Sequence, residues 1–187
     1  ATVFFNCRQR LDSIPQRSPR RELTNATHIE IESLPSGFWG YNHFPMYVKY
    51  YRNLGYQIIG MNGKFHLEWG DFGGFKTKAG LEYECFRMLA EGAKICIGDQ
   101  LHPRAKLDPV TYDLIGSVFE QVEKKEPWCT KVTPVSDIAL MLRNDDDERY
   151  MKCCRPEIGT LEAAMQVLLE DHRQYEIVDW ESDLSPY

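Results

Sequence analysis

Carboxylates, imidazoles and indoles gather in three short stretches of this 187-residue chain. The first is "HIEIE", His28 to Glu32, where Glu30 and Glu32 alternate with Ile29 and Ile31. The second, "GKFHLEWGDFGG", carries Lys64, His66, Glu68, Trp69 and Asp71 within one Gly-hinged loop. The third, "IGDQLHP", carries Asp99, Gln100 and His102. Carboxylates beside imidazoles suit proton transfer and nucleophilic attack. Cleavage of a glycosidic bond asks for that set: two carboxylates, donors for ring hydroxyls, and an aromatic platform for the ring face. Trp39, Tyr41 and His43, in the loop after the first stretch, extend it. Each stretch also has a plainer reading. The first could be the solvated face of an edge strand and the second a charged surface loop. In the third, Asp99 could cap a turn while His102 packs in the loop.

The elements around these stretches decide what they can do together. Short β runs are expected at Thr2–Asn6, Thr27–Glu32, Tyr56–Asn62 and Ala93–Gly98. Helices are expected between or after them. Pro45 suits a first helical position, with Tyr47, Tyr50, Tyr51 and Leu54 at helical spacing and Gly55 as the stop. Leu81, Cys85, Met88 and Leu89 form one apolar stripe ended by Gly92. Asp108-Pro109 starts a third helix, with Leu114, Ile115, Val118, Phe119 and Val122 as its buried face. Strands that alternate with helices, with short loops before them and long polar loops after them, predict a parallel α/β sheet. Its chemistry would then sit at the carboxyl ends of the strands. In a barrel, Ile29 and Ile31 would face the helices while the glutamates point inward, with Glu32 at the mouth.

Beyond Trp128 the pattern restarts. "CTKVTPVS" reads as a linker over 129–136, followed by a strand in "DIALML". An acidic loop comes next, then a helix capped by Thr160 and lined by Leu161, Ala164, Met165 and Leu168. "QYEIVDW" is one more strand, so residues 137–187 read as the start of a second α/β unit.

A net charge of -6 argues against nucleic acid or an anionic membrane as partner, since no basic surplus exists to neutralise phosphates. No apolar run approaches the roughly 20 residues needed to span a bilayer. Six cysteines without CxxC pairing suggest reduced thiols in a cytoplasmic protein, with Cys85 and Cys96 as core fillers. No tight ligand spacing points to a metal, and Walker, dinucleotide and GxSxG motifs are absent, so no cofactor is expected.

The stretches "GFWGYNHFP", "GKFHLEWGDFGGFK" and the long block from "LEYECFRMLAEGAKICIGDQLHP" to "EKKEPW" resemble the late part of a bacterial glycoside hydrolase group. These are TIM-barrel enzymes related to α-L-fucosidases, whose barrel is followed by a β-galactosidase-type trimerisation domain. The resemblance implies that residues 1–128 are the second half of a (β/α)8 barrel, strands five to eight. Residues 137–187 would begin a flavodoxin-like trimerisation domain. Strands one to four would lie outside this chain, leaving it inactive alone. Glu32 would close strand six; His66, Trp69 and Asp71 would follow strand seven; Asp99 and His102 would follow strand eight.

The expected function is exo-acting hydrolysis of terminal fucosyl or galactosyl residues. Glu32 and Asp71 are the expected catalytic carboxylates. Trp39, His43, Asn62, His66, Trp69, Asp99 and His102 are expected to bind the carbohydrate, and the protein to form a trimer or dimer. The alternative is a non-catalytic carbohydrate-binding or assembly module on the same frame.

Overall fold

The computed structural model describes residues 4–6, 23–142 and 158–187. Cys7, Cys153, Cys154 and the Arg- and Pro-rich stretch after the first strand lie outside the described residues. Four strands, β1 (Phe4–Asn6), β2 (His28–Glu32), β3 (Gln57–Gly63) and β4 (Lys94–Gly98), form one parallel sheet in sequential order. Glu32 pairs with Met61 and Gly63 with Gly98, which levels the carboxyl ends of β2, β3 and β4. The connections from β2 to β3 and from β3 to β4 each cross through a helix on the same side of the sheet, as right-handed crossovers between parallel neighbours require. Those two helices are α1 (His43–Tyr51) and α2 (Lys78–Ala90), while α3 (Pro109–Cys129) follows β4 and packs on α2.

Local signals explain most boundaries. The Asp108 carboxylate accepts the Val110 N–H at 3.1 Å and Pro109 opens α3, as the sequence implies. The Thr77 hydroxyl caps α2 by accepting the Gly80 N–H at 3.1 Å. Gly55 and Gly92 follow their helices with φ of 82° and 77°, a region where a Cβ would be strained. Three details differ from expectation. The first helix starts at His43, so Pro45 is its third residue. Phe119 is exposed, because α3 packs on α2 through the narrower stripe of Val118 and Val122. Thr160 lies inside the last helix, which begins at Ile158.

The second sheet pairs β5 (Ala139–Met141) with β6 (Glu176–Val178) in parallel, joined through α4 (Ile158–Glu170). It shares a core with the first. Ile29 and Ile31 of β2, Tyr47, Tyr50 and Tyr51 of α1, and Met165, Tyr175 and Ile177 of the second unit form one buried cluster. Burial of a side chain the size of Ile31 contributes roughly 1.5–3 kcal/mol. The Tyr50 hydroxyl crosses this seam to donate to Asp179 Oδ2 at 2.8 Å, in a buried position. Tyr50→Phe removes that donor while keeping the ring, and should cost about 1–3 kcal/mol in urea denaturation. Among the described residues, no helix is long and apolar enough to cross a membrane.

Candidate active site

Glu32 ends β2 and is 2% exposed. Its Oε1 accepts the indole N–H of Trp69 at 2.6 Å. A buried carboxylate needs such donors, because burial without them costs several kcal/mol. Trp69 comes from the loop after β3, and two glycines make room for it. A Cβ on Gly98, the last residue of β4, would lie 2.5 Å from the Trp69 ring. A Cβ on Gly63, the last residue of β3, would lie 2.2 Å from Phe65. Phe65 in turn packs on Trp69 with ring centroids 4.8 Å apart. The Gln100 side-chain amide, just past β4, donates to the Trp69 carbonyl at 2.9 Å. The carboxyl ends of three adjacent strands therefore meet at one indole.

The remaining residues divide by what they touch. Lys64 Nζ stands 3.9 Å from Asp99 Oδ1 and over the Phe75 ring, joining the β3 loop to the end of β4. Asp99 Oδ1 also accepts the Gln100 N–H at 2.8 Å, a turn-capping contact. Asp71 turns onto its own loop. Its Oδ2 accepts the Leu67 N–H at 3.2 Å, and a Cβ on Gly74 would lie 2.4 Å from either carboxylate oxygen. His66 and His102 are exposed. The backbone carbonyl of His66 accepts the Ser36 hydroxyl, and His102 Nδ1 accepts the Arg104 N–H at 3.1 Å. Among the described residues no group of three or more His, Cys, Asp and Glu is placed to hold a metal ion.

The loop after β2 braces the loop after β3. Besides the Ser36 bond, Gly37 lies so close that a Cβ on it would sit 2.2 Å from the Leu67 carbonyl oxygen. Gly37→Ala must push the β3 loop away from Glu32, and should lower stability by about 1–3 kcal/mol in thermal or urea melts. His43 lies behind this brace. It is 8% exposed, bonded to the Ser33 hydroxyl at 3.1 Å, and packed between Trp39 and Tyr47 at 4.6 and 4.4 Å. Trp39 is half-buried at the same edge.

Asn62 lies on the other face of the sheet. Strand parity puts it with Ile58 and Gly60, on the side of the helices. Its amide donates to Glu84 Oε2 at 2.8 Å, and Lys76 Nζ donates to the same oxygen at 2.6 Å. Lys76 and Glu84 side chains are each 2% exposed. Burial raises the Glu84 pKa above the ordinary carboxylate range, against the charge and hydrogen bond of Lys76 and the bond from Asn62. This trio anchors the far end of the β3 loop at the start of α2, and sequence reasoning missed it. The signal was there: Glu84 sits at i+3 from Leu81, inside the apolar stripe of Leu81, Cys85 and Met88. Cys85, beside it, is fully buried and its thiol is pushed up to about 12 by that burial, which makes it an inert core residue.

No protein-family model and no curated protein sequence matches the chain. A solved structure does: alpha-L-fucosidase isoenzyme 2 from Paenibacillus thiaminolyticus superposes with a TM-score of 0.81 at 39% sequence identity. The match covers 95% of this chain and 27% of that protein, so the chain spans about a quarter of its length.

Proposed function

We propose that this chain, related to an α-L-fucosidase as its sequence implied, is part of an exo-acting glycoside hydrolase that removes terminal fucosyl residues. The observation that carries the reading is the Glu32–Trp69 pair, a buried carboxylate held by an indole where three parallel strands end. In this reading Glu32 is one of two carboxylates at the anomeric carbon. With retention, one carboxylate attacks that carbon while the other protonates the departing glycosidic oxygen. Water then hydrolyses the glycosyl ester, with the second carboxylate acting as base. Such pairs stand about 5 Å apart. Asp71 is the second carboxylate in this proposal, and Asp99, His66 and His102 bind ring hydroxyls. Trp69, with Trp39 at the edge, supplies an apolar surface that suits the methyl group of a 6-deoxy sugar better than the hydroxymethyl of a galactosyl residue. Asn62 and His43 act as supports, because their side chains are engaged behind the sheet and behind the brace.

The proposal carries an architecture. Residues 1–128 would form half of a (β/α)8 barrel, for which the sequential parallel order of β1 to β4 is the winding required. Residues 137–187 would begin a flavodoxin-like unit through which a homo-oligomer, trimer or dimer, assembles. Reduced Cys85, Cys96 and Cys129 suit a cytoplasmic setting.

A second reading is favoured by one specific contact. The Asp71 carboxylate is occupied by its own loop, so the site could bind a sugar without cleaving it. Hydrolysis of nitrophenyl α-L-fucoside by the full-length protein separates the two. Release of nitrophenol, several-fold faster than from the galactoside, is the expected result. Binding of L-fucose without release would establish the binding module instead.

A further inference from the structure

A second cleft, of about 620 Å³, opens at the other end of the strands, between the first sheet's helices and the second unit. Its walls come from the end of α1 and the turn after it, the end of α2, the linker at Pro134 and Val135, and the segment from α4 to β6. Three cations converge there on one carboxylate. Lys49, Arg52 and Arg87 approach Glu91 at 3.3, 2.8 and 2.8 Å. Glu176 engages the other side of the Arg52 guanidinium, with an Nε–Oε2 distance of 2.9 Å. Among the described residues, three cations against two carboxylates leave one positive charge in a place largely withdrawn from water.

Among the described residues, two hydrogen-bond donors on side chains of these walls have no partner. They are the Tyr175 hydroxyl and Arg87 Nε, both buried as atoms. Tyr175 is 1% exposed, with the Lys49 ammonium 4.8 Å from its ring centre. Burial dominates at both groups, pushing the Tyr175 hydroxyl up to about 12 and lowering Lys49, so an added anion would relieve the cation. Orphaned buried donors are uncommon and ask for an explanation. The cleft is far larger than the roughly 30 Å³ share of one water, and lies within the 300–1,000 Å³ range of small-molecule sites.

We propose that this cleft is a binding site for a sugar-sized organic oxyanion, whose phosphate or carboxylate takes the unmatched charge of the Lys49–Arg52–Arg87 cluster and draws the buried Tyr175 and Arg87 donors toward it by a turn of their side chains. Guanidinium groups suit both oxyanions, since their fork matches two oxygens at once. The site lies at the amino ends of β3 and β4, whereas Glu32 and Trp69 lie at the carboxyl ends. It therefore stands whether or not the sugar-cleaving reading does.

Titration calorimetry of the protein with glucose 6-phosphate, glucuronate, inorganic phosphate and glucose tests it. At least one sugar anion should bind at least tenfold more tightly than glucose. Tyr175→Phe should weaken that binding at least fivefold with an unchanged melting temperature, because the hydroxyl it removes bonds to nothing. Arg87→Lys keeps the charge but loses Nε, and should weaken it at least tenfold. Absence of binding by both sugar anions, equal binding of glucose, or affinities unaltered in both variants would overturn the proposal.

Discussion

Glu32→Gln should lower turnover of nitrophenyl α-L-fucoside by at least a hundredfold in the full-length protein, with the fold intact. The side chains have the same shape, and the glutamine carbonyl can still accept the Trp69 N–H. What disappears is a carboxylate able to attack carbon or carry a proton. A hundredfold loss corresponds to about 2.7 kcal/mol of transition-state stabilisation, ordinary for such a group. Azide identifies which role was lost. If Glu32 is the nucleophile, a small-side-chain variant regains activity and yields a glycosyl azide of inverted configuration. If it is the proton donor, the azide product keeps the substrate's configuration. Trp69→Phe, which keeps a ring but deletes the N–H, should cost less, about tenfold. Unmodified turnover in Glu32→Gln would remove Glu32 from the chemistry.

The second large effect is on stability and its pH dependence. Lys76→Met leaves Glu84 buried without its cation, a change that typically costs about 3–5 kcal/mol. Burial already raises the Glu84 pKa in the folded protein, and Lys76 is the first influence opposing that rise. A carboxyl group with a raised folded pKa contributes its stability in full below its unfolded pKa. That contribution is lost as pH rises through the folded value. Removing Lys76 raises the folded value further, so the variant's deficit should be small near pH 4 and grow toward neutrality. Urea denaturation at several pH values measures it. Adding Glu84→Leu should recover most of the loss, because a neutral apolar side chain has no charge to desolvate. A deficit that is the same at all pH values would show that Lys76 acts through packing alone.

How much of this was legible in the sequence follows from the range of each interaction. The strands and helices were readable because their signals are local. Alternation marked "HIEIE", and Asp108-Pro109 and the glycines at 55 and 92 marked helix ends. The resemblance to α-L-fucosidases was carried by long unbroken stretches. The meeting of Glu32 with Trp69 was only half legible. Each residue stood out by type, but the bond spans 37 positions and depends on glycines 63 and 98 leaving space for two rings. Asp71 and Asp99 looked alike in sequence, as carboxylates after strands. Their nearest partners are backbone N–H groups within their own turns, which composition does not reveal. Asn62 was expected among the carbohydrate-binding residues, and its place on the helix side depends on the register of β3 against β2, which the sequence does not carry. The Lys76–Glu84 pair needed the loop to return across the start of α2.

A crystal structure of the full-length Glu32→Gln protein with nitrophenyl α-L-fucoside tests the central claim most directly. The account predicts the sugar ring against Trp69, with the anomeric carbon or the glycosidic oxygen about 3–3.5 Å from the substituted side chain at position 32. A fucoside seated elsewhere, with that side chain out of reach of the scissile bond, would contradict it.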